Sequence, residues 1–108
     1  PIDGCAAQLA TSPVAVLIGP ATASSGEAVA IAFRGRGSTR FFGQPTAGLA
    51  TSNRGFPLPD GSVLMLTTAV FLDRSGVAYP QGVAPDVTLD EGDGTVAAAE
   101  TWLRSQAR

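Results

Sequence analysis

The sequence has 108 residues, enough for one small domain with a single core. Its net charge of −2, with arginines scattered along the chain, gives no basic surface for nucleic acid or an anionic membrane, and we expect neither as a partner. A lone cysteine, Cys5, excludes an internal disulfide and a zinc site built on paired cysteines, and we expect neither a metal ion nor a cofactor.

The first half of the chain predicts a strand, a helix and a second strand. Residues 13–19 (PVAVLIG) are a continuous apolar run, bounded by Pro and Gly, that is typical of a buried strand. Apolar residues from Ser24 to Arg34 cover most of one helix face, and the first turn is acidic. Glycines then end the helix, and residues 38–43 (STRFFG) predict another strand. We therefore expect a βαβ-like unit.

The middle of the chain predicts a loop followed by a long strand. Residues 44–55 are rich in Gly, Thr and Ser, which favours a loop or a loose edge rather than core. The turn sequence PDG at 59–61 precedes the run SVLMLTTAVFL at 62–72, which is apolar on both alternating faces. Such a run predicts a central strand that is covered on both sides.

The last third of the chain predicts an irregular segment and a helix. The sequence PQGVAPDV at 80–87 is too often interrupted by proline for a central strand. Asp93 or Thr95 can then cap a helix that extends to about Ser105.

Ser24 lies where the first predicted strand gives way to the helix, in the pattern Ser-x-x-Glu. One interpretation is a capping box, in which the Ser24 hydroxyl and the Glu27 carboxylate bind free N–H groups of the first turn. The other is a nucleophile at a helix N-terminus, where free N–H groups stabilise a developing oxyanion. The N–H of Ser25 would be one natural donor. The chain contains neither histidine nor lysine, the two commonest bases for a serine nucleophile, so the pattern alone leaves both interpretations open.

Five motifs in a fixed order resemble a known group of proteins. They are S-x-x-E at Ser24–Glu27, G-x-x-T-x-G at Gly43–Gly48, L-P-D-G-S at Leu58–Ser62, L-T-T-A at Leu66–Ala69 and G-V-x-P-D at Gly82–Asp86. In this order the sequence resembles the catalytic core of the carboxy-terminal processing (tail-specific) and tricorn-core serine peptidases. The resemblance implies an α/β fold with a Clp-protease/crotonase-like ββα core, here a partial domain with a mixed sheet and two main helices.

The resemblance also implies roles for particular residues. Ser24 stands at the nucleophile position of the family, and Ser25 would supply an oxyanion-hole amide. Thr51 and Asn53 stand in the loop that lines the family's substrate cleft, where substrate contact and ordinary turn chemistry are equally open.

Two positions depart from the pattern of the family. Leu49 stands where the processing proteases carry a lysine base, and Tyr79 stands where the tricorn branch carries a glutamate. A Ser-Lys dyad is thereby excluded, because leucine cannot take a proton. We expect the base, a histidine, to come from outside this chain. Tyr79 itself is expected to be a partly buried residue near a turn.

These observations leave three hypotheses about the function of the chain. In the first, residues 1–108 are the C-terminal portion of a serine peptidase core that acts on a peptide or protein and is inert without a preceding N-terminal segment. In the second, they form a non-catalytic module on the same scaffold that binds a peptide or a lipophilic ligand. In the third, Ser24 is only a helix cap. Apolar surface left by a missing segment would favour self-association, which makes a homo-oligomer a further expectation.

Overall fold

The computed structural model describes residues 10–90 and 92–106, within which the chain forms five strands and two helices. In chain order these are β1 (Val14–Ile18), α1 (Ser25–Ala32), β2 (Thr39–Gly43), β3 (Thr51–Pro57), β4 (Val63–Val70), β5 (Val87–Thr88) and α2 (Asp93–Gln106). Neither helix in these ranges is long and apolar enough to cross a bilayer. Cys5 lies outside the described residues.

Strands β1, β2 and β5 form a parallel sheet in the order β1-β2-β5. Val14 pairs with Thr39 and Ile18 with Gly43, so β1 and β2 are in register over their whole length. Parallel neighbours need a crossover connection, which α1 supplies. The predicted βαβ unit is therefore confirmed. The two-residue strand β5 lies at the edge of the sheet, where the prolines that precede it are tolerated.

The two faces of the parallel sheet pack against different helices. On one face, the buried apolar core joins α1 to the sheet and to two loops; its members are Ile18, Ala30, Ile31, Phe41, Ala50 and Val83. On the other face, Phe42 contacts Trp102 of α2, with ring centroids 5.9 Å apart. Because side chains alternate along a strand, the neighbours Phe41 and Phe42 can serve opposite layers.

Strands β3 and β4 form an antiparallel hairpin that is separate from the parallel sheet. The predicted turn connects them: Leu58 N–H donates to Ser62 O at 2.8 Å, and Asp60 Oδ1 accepts from Ser62 N–H at 3.0 Å. From Thr51 onward the segment 44–55 is not a loop but the exposed strand β3, which agrees with the predicted alternative of a loose edge outside the core. Loop composition is overridden here because β4 offers a complete row of backbone partners to β3.

The prediction that residues 62–72 form a central strand covered on both sides is wrong for this chain. Every residue of β4 is exposed, and in the described part of the chain the strand pairs with β3 alone. Both helices pack elsewhere, on the parallel sheet. The hairpin consequently projects from the rest: the radius of gyration is 17.2 Å, against about 13 Å for a compact domain of about 100 residues. Apolar periodicity shows what a strand can bury, but it does not show that a covering element is present.

Candidate active site

Ser24 lies immediately before α1 on a strained backbone. Its φ of 52° and ψ of −112° lie outside the regions open to residues with a side chain. Such a conformation costs about 1–3 kcal/mol, persists only when surrounding contacts impose it, and is concentrated at functional sites. Ser24 is also exposed. The turn therefore presents this serine to solvent on a backbone that its surroundings hold in place.

The start of α1 has the arrangement of a capping box, as the Ser-x-x-Glu pattern predicts. Its carboxylate half is a hydrogen bond from Ser24 N–H to Glu27 Oε1 at 3.1 Å. The Ser24 hydroxyl completes the residue pattern of the box but makes no side-chain capping hydrogen bond. The carboxylate, rather than the hydroxyl, anchors the helix start.

Ser25 is the first residue of α1, and its backbone N–H is one of those that an α-helix leaves without an intrahelical partner. The next amide, Gly26 N–H, donates to Ala23 O at 2.9 Å, and Ala28 N–H donates to Ser24 O at 3.0 Å. No acceptor binds the Ser25 N–H within residues 10–90 and 92–106. A free N–H beside the serine hydroxyl, at the positive end of the helix dipole, can receive a developing oxyanion.

The Glu27 carboxylate is completely buried and binds four donors. Oε1 accepts from Ser24 N–H at 3.1 Å and from Leu49 N–H at 2.7 Å. Oε2 accepts from the Thr46 hydroxyl at 2.7 Å and from Gly48 N–H at 3.0 Å. Burial raises the pKa of this carboxyl, but the hydrogen bonds from Thr46 and from the three amides outweigh burial and bring the pKa below its ordinary value. Glu27 is therefore ionised at neutral pH.

The loop that follows β2 is held beside the serine turn. Ala47 N–H donates to Thr22 O at 2.9 Å, which joins the loop directly to the segment before Ser24. On the other side of the loop, Gly82 has φ +93°, and a Cβ there would lie 2.7 Å from Thr46 O. The backbones approach so closely that a side chain at Gly82 would collide with the loop.

Leu49 and Tyr79, the two positions that depart from the pattern of the family, make other contacts in this chain. Leu49 uses its N–H to bind Glu27, while its exposed side chain offers no proton acceptor. The Tyr79 hydroxyl donates to Asp73 Oδ2 at 2.6 Å. Burial of Tyr79, together with this hydrogen bond and the negative charge of Asp73, raises the pKa of the phenol. Tyr79 is thus a neutral residue packed against the core near a turn, in agreement with its predicted structural role.

Thr51 and Asn53 lie on strand β3 rather than in a loop. Thr51 N–H donates to Leu49 O at 2.9 Å, and Asn53 Oδ1 accepts from the Thr67 hydroxyl at 2.9 Å. A bulge in the hairpin lies between Ser52 and Asn53. In the described part of the chain no hydrogen bond connects either predicted substrate residue to Ser24. Thr51 directly follows the loop that Glu27 holds, whereas Asn53 lies farther out on the hairpin.

Thr46 and Asp86 are important residues to which the sequence reasoning gave no individual role. Thr46 is buried and connects Glu27 to Val83, whose N–H donates to the Thr46 hydroxyl at 2.7 Å. Asp86 accepts from Phe41 N–H at 2.8 Å and lies 3.5 Å from the Arg34 guanidinium. Both are polar residues of motifs named above, G-x-x-T-x-G and G-V-x-P-D. Their place in these motifs is the sequence feature that could have identified them.

Within residues 10–90 and 92–106 the arrangement places a hydroxyl and a free amide together, and neither histidine nor lysine lies beside them. No group of three His, Cys, Asp or Glu side chains in the described ranges could hold a metal ion. The carboxylate nearest to the serine in sequence, Glu27, already binds four donors. Chemistry at Ser24 would require a proton acceptor that these described residues do not place beside it.

Comparison with known proteins extends over most of the chain. A model of peptidase family S41 matches residues 4–89. A nisin-resistance protein from Lactococcus lactis subsp. lactis is 35% identical over 98 residues, which make up 90% of this chain and 30% of that protein. The chain therefore spans less than a third of the length of this curated relative.

Solved structures share the fold. A lipoprotein from Streptococcus agalactiae has a TM-score of 0.73 at 35% identity, over 88% of this chain and 32% of that one. The photosystem II D1 C-terminal processing protease has a TM-score of 0.65 at 34% identity, over 72% and 20%. The tricorn protease has a TM-score of 0.66 at 20% identity, over 86% and 10%, and shows the fold alone. The predicted α/β class, as a partial Clp-protease/crotonase-like domain, is confirmed.

Proposed function

Because this chain belongs to peptidase family S41, we propose that it is the C-terminal portion of a catalytic domain that hydrolyses peptide bonds with Ser24 as nucleophile. The observation that carries the proposal is the combination at one turn of an exposed serine, a strained backbone and a free neighbouring amide. A helix cap by itself requires neither the strain nor the exposure. Strained turns that expose a serine hydroxyl next to a free N–H are a recurring device of serine hydrolases.

The reaction assigns one step to each group. Ser24 Oγ attacks the carbonyl carbon of a peptide while a base removes its proton. The carbonyl oxygen becomes an oxyanion, which the Ser25 N–H and the positive end of α1 stabilise. The intermediate expels the amine, which takes up the proton held by the base. Water then hydrolyses the acyl-enzyme by the same route and frees Ser24.

The base must come from outside residues 1–108, since the chain has no histidine or lysine and the Glu27 carboxylate is saturated. We assign this role to a histidine of a segment that precedes the chain in the complete protein. The described residues form no pocket, and we likewise place the facing wall of the cleft in that segment. The 108-residue chain alone is then expected to be inactive.

The substrate in this proposal is a peptide or protein that binds in an extended conformation. Thr51 and Asn53 are candidate contacts, because β3 continues from the loop beside Ser24 and carries both on exposed or half-exposed positions. An extended peptide could add its backbone hydrogen bonds alongside these residues, as in strand addition to a sheet.

The test uses the complete polypeptide that contains this chain. A fluorophosphonate probe should label Ser24, and Ser24→Ala should abolish both labelling and peptide hydrolysis without lowering the melting temperature appreciably. Ser25→Ala is the matched control: it removes a neighbouring hydroxyl but keeps the backbone N–H, so labelling should persist. Undiminished hydrolysis in Ser24→Ala would refute the assignment.

A non-catalytic binding module is the second candidate, favoured by the leucine at position 49 and by the engagement of Tyr79 with Asp73. In that case the probe would not label Ser24, and a peptide or lipophilic ligand would raise the melting temperature of wild-type and Ser24→Ala protein equally.

A further inference from the structure

The Glu27 carboxylate has no step in the reaction proposed above, yet it is the most completely buried charged group in the described ranges. A carboxylate has about four lone-pair sites. Here each oxygen already accepts two hydrogen bonds, so Glu27 has no site left for a substrate group or a transferred proton. Its function must lie in what these four bonds hold together.

The four donors come from two segments that are distant in sequence. Ser24 N–H belongs to the turn before α1, whereas the Thr46 hydroxyl and the Gly48 and Leu49 amides belong to the loop after β2. We call Ser24, Glu27, Thr46, Gly48 and Leu49 the Glu27 network. Hydrogen bonds to a charged acceptor in a buried site are stronger than neutral ones, so the network fixes the two segments firmly against each other.

The strain at Ser24 needs such a fixed environment. A non-glycine residue at φ 52° and ψ −112° relaxes unless contacts on both sides of it oppose relaxation. Ser24 has one contact on each side: its N–H donates to Glu27 Oε1 at 3.1 Å, and its O accepts from Ala28 N–H at 3.0 Å. The second belongs to the helix. The hydrogen bond to Glu27 connects the strained residue to the distant loop, because the same carboxylate also binds the Gly48 and Leu49 amides.

We infer that Glu27 is a positioning residue for Ser24, which it holds in the strained conformation by clamping the serine turn to the Thr46–Leu49 loop. The inference rests on the proposed function, in that it concerns the nucleophile assigned there. It also restricts the oxyanion site. Because the Gly48 and Leu49 amides both bind Glu27, they are not available to an oxyanion, whereas the Ser25 N–H has no acceptor within residues 10–90 and 92–106 and can donate to one.

The test compares Glu27→Gln with Glu100→Gln in the complete polypeptide. The glutamine keeps the size of Glu27 but turns an NH2 group toward N–H donors, which breaks part of the Glu27 network. Glu100 is an exposed carboxylate of α2, so its neutralisation controls for the change of charge. For Glu27→Gln we expect about a 100-fold slower labelling of Ser24 and an equal fall in kcat, with KM changed less than about twofold. Glu100→Gln should match the wild type.

A second pair of variants tests the same clamp through its partner. Thr46→Ser retains the hydroxyl that binds Glu27, whereas Thr46→Val replaces it with a methyl group. Thr46→Val should slow labelling in the same direction as Glu27→Gln, and Thr46→Ser should restore it to near the wild-type rate. This pair decides the question if Glu27→Gln does not fold.

Two outcomes would overturn the inference. One is a folded Glu27→Gln protein, with an unchanged circular dichroism spectrum, in which Ser24 is labelled at the wild-type rate. The other is an equal rate of amide hydrogen exchange in the two variants, which is the measurement to use if Ser24 is unreactive even in the wild type and the proposed function itself fails. Amide hydrogen exchange then decides: Ser24, Gly48 and Leu49 should exchange at least about tenfold faster in Glu27→Gln than in Glu100→Gln if the clamp exists. Equal exchange rates would remove the clamp as well.

Discussion

Thr46 and Val83 bind each other through two hydrogen bonds, although 37 residues separate them in the chain. Thr46 N–H donates to Val83 O at 3.0 Å, and Val83 N–H donates to the Thr46 hydroxyl at 2.7 Å. The same hydroxyl donates to Glu27. One buried threonine thus joins the G-V-x-P-D segment to the carboxylate beside the candidate nucleophile.

This relationship predicts the cost of removing the hydroxyl. Thr46→Val should lower the free energy of unfolding by about 1–3 kcal/mol, because the Val83 amide and the Glu27 carboxylate each lose a buried partner. Urea denaturation measures the change. Thr101→Val is the control, since the exposed Thr101 hydroxyl donates only to Ala97 O, within α2. An equal loss of unfolding free energy in the two variants would contradict the prediction, because it would show that burial of the Thr46 hydroxyl adds nothing to stability.

Protonation of Glu27 should destabilise the fold in acid. Its pKa is lowered in the folded chain, so the unfolded chain binds this proton at a higher pH. The contribution of Glu27 to stability is therefore complete above the unfolded pKa, about 4.3, and is lost as the pH falls through the folded value. Glu27→Gln should be less stable at pH 7 and should lose less stability than the wild type on further acidification.

Urea denaturation at several pH values between about 3 and 7 tests this prediction. The carboxyl groups of Asp60 and Asp73 also have lowered pKa values, because of hydrogen bonds from Ser62 and Tyr79 respectively, and they contribute equally in both proteins. Parallel stability curves for wild type and Glu27→Gln would contradict the role assigned to this carboxylate.

Gly82 should tolerate alanine less well than Gly76. Both have positive φ, +93° and +82°, so both variants incur the left-handed backbone cost of about 1–2 kcal/mol. A Cβ at Gly76 meets open space, whereas at Gly82 it would lie 2.7 Å from Thr46 O. The difference in unfolding free energy between Gly82→Ala and Gly76→Ala isolates the collision. No difference would mean that the loop after β2 can move away freely.

The uncovered hairpin predicts that the 108-residue chain associates with itself. A long edge strand without charge or proline is a ready site for pairing with another chain, and β4 has neither. Leu66→Glu should reduce association, measured by sedimentation velocity, while stability changes by less than about 0.5 kcal/mol. The new carboxylate would face Arg54, which lies opposite Leu66 in the hairpin. Unchanged association would place the contact elsewhere.

The sequence predicted those parts of the fold that depend on local pattern. The run at 13–19 and the strand ending in Phe42 and Gly43 are short and apolar, and the helix after Ser24 has a distinct start, so each element was recognisable by itself. The hairpin was only half predicted. Strand β4 has strong β-branched character, but β3 contains Gly55 and ends at Pro57, and it is a strand because β4 pairs with it.

Some residues of the candidate site could likewise be predicted from local sequence, and others could not. Ser24 and Ser25 could be selected because a helix start has a sequence signature, and the order of motifs gave them a role to test. The four-fold engagement of Glu27 could not be predicted, since three of its donors lie on a loop whose position depends on long-range contacts. Tyr79 is similar: its partner, Asp73, follows from a turn geometry that residue types alone do not specify.

The contact between Thr46 and Val83 also determines what the chain can tolerate between them. The whole hairpin lies between Thr46 and Val83 in the chain, so the contact between these two residues already holds its ends together. Loop-closure entropy grows only logarithmically, by about 0.6 kcal/mol for each doubling of length. Insertions or deletions at the hairpin tip should therefore leave the geometry at Ser24 intact, so the length of this arm can change independently of the serine turn.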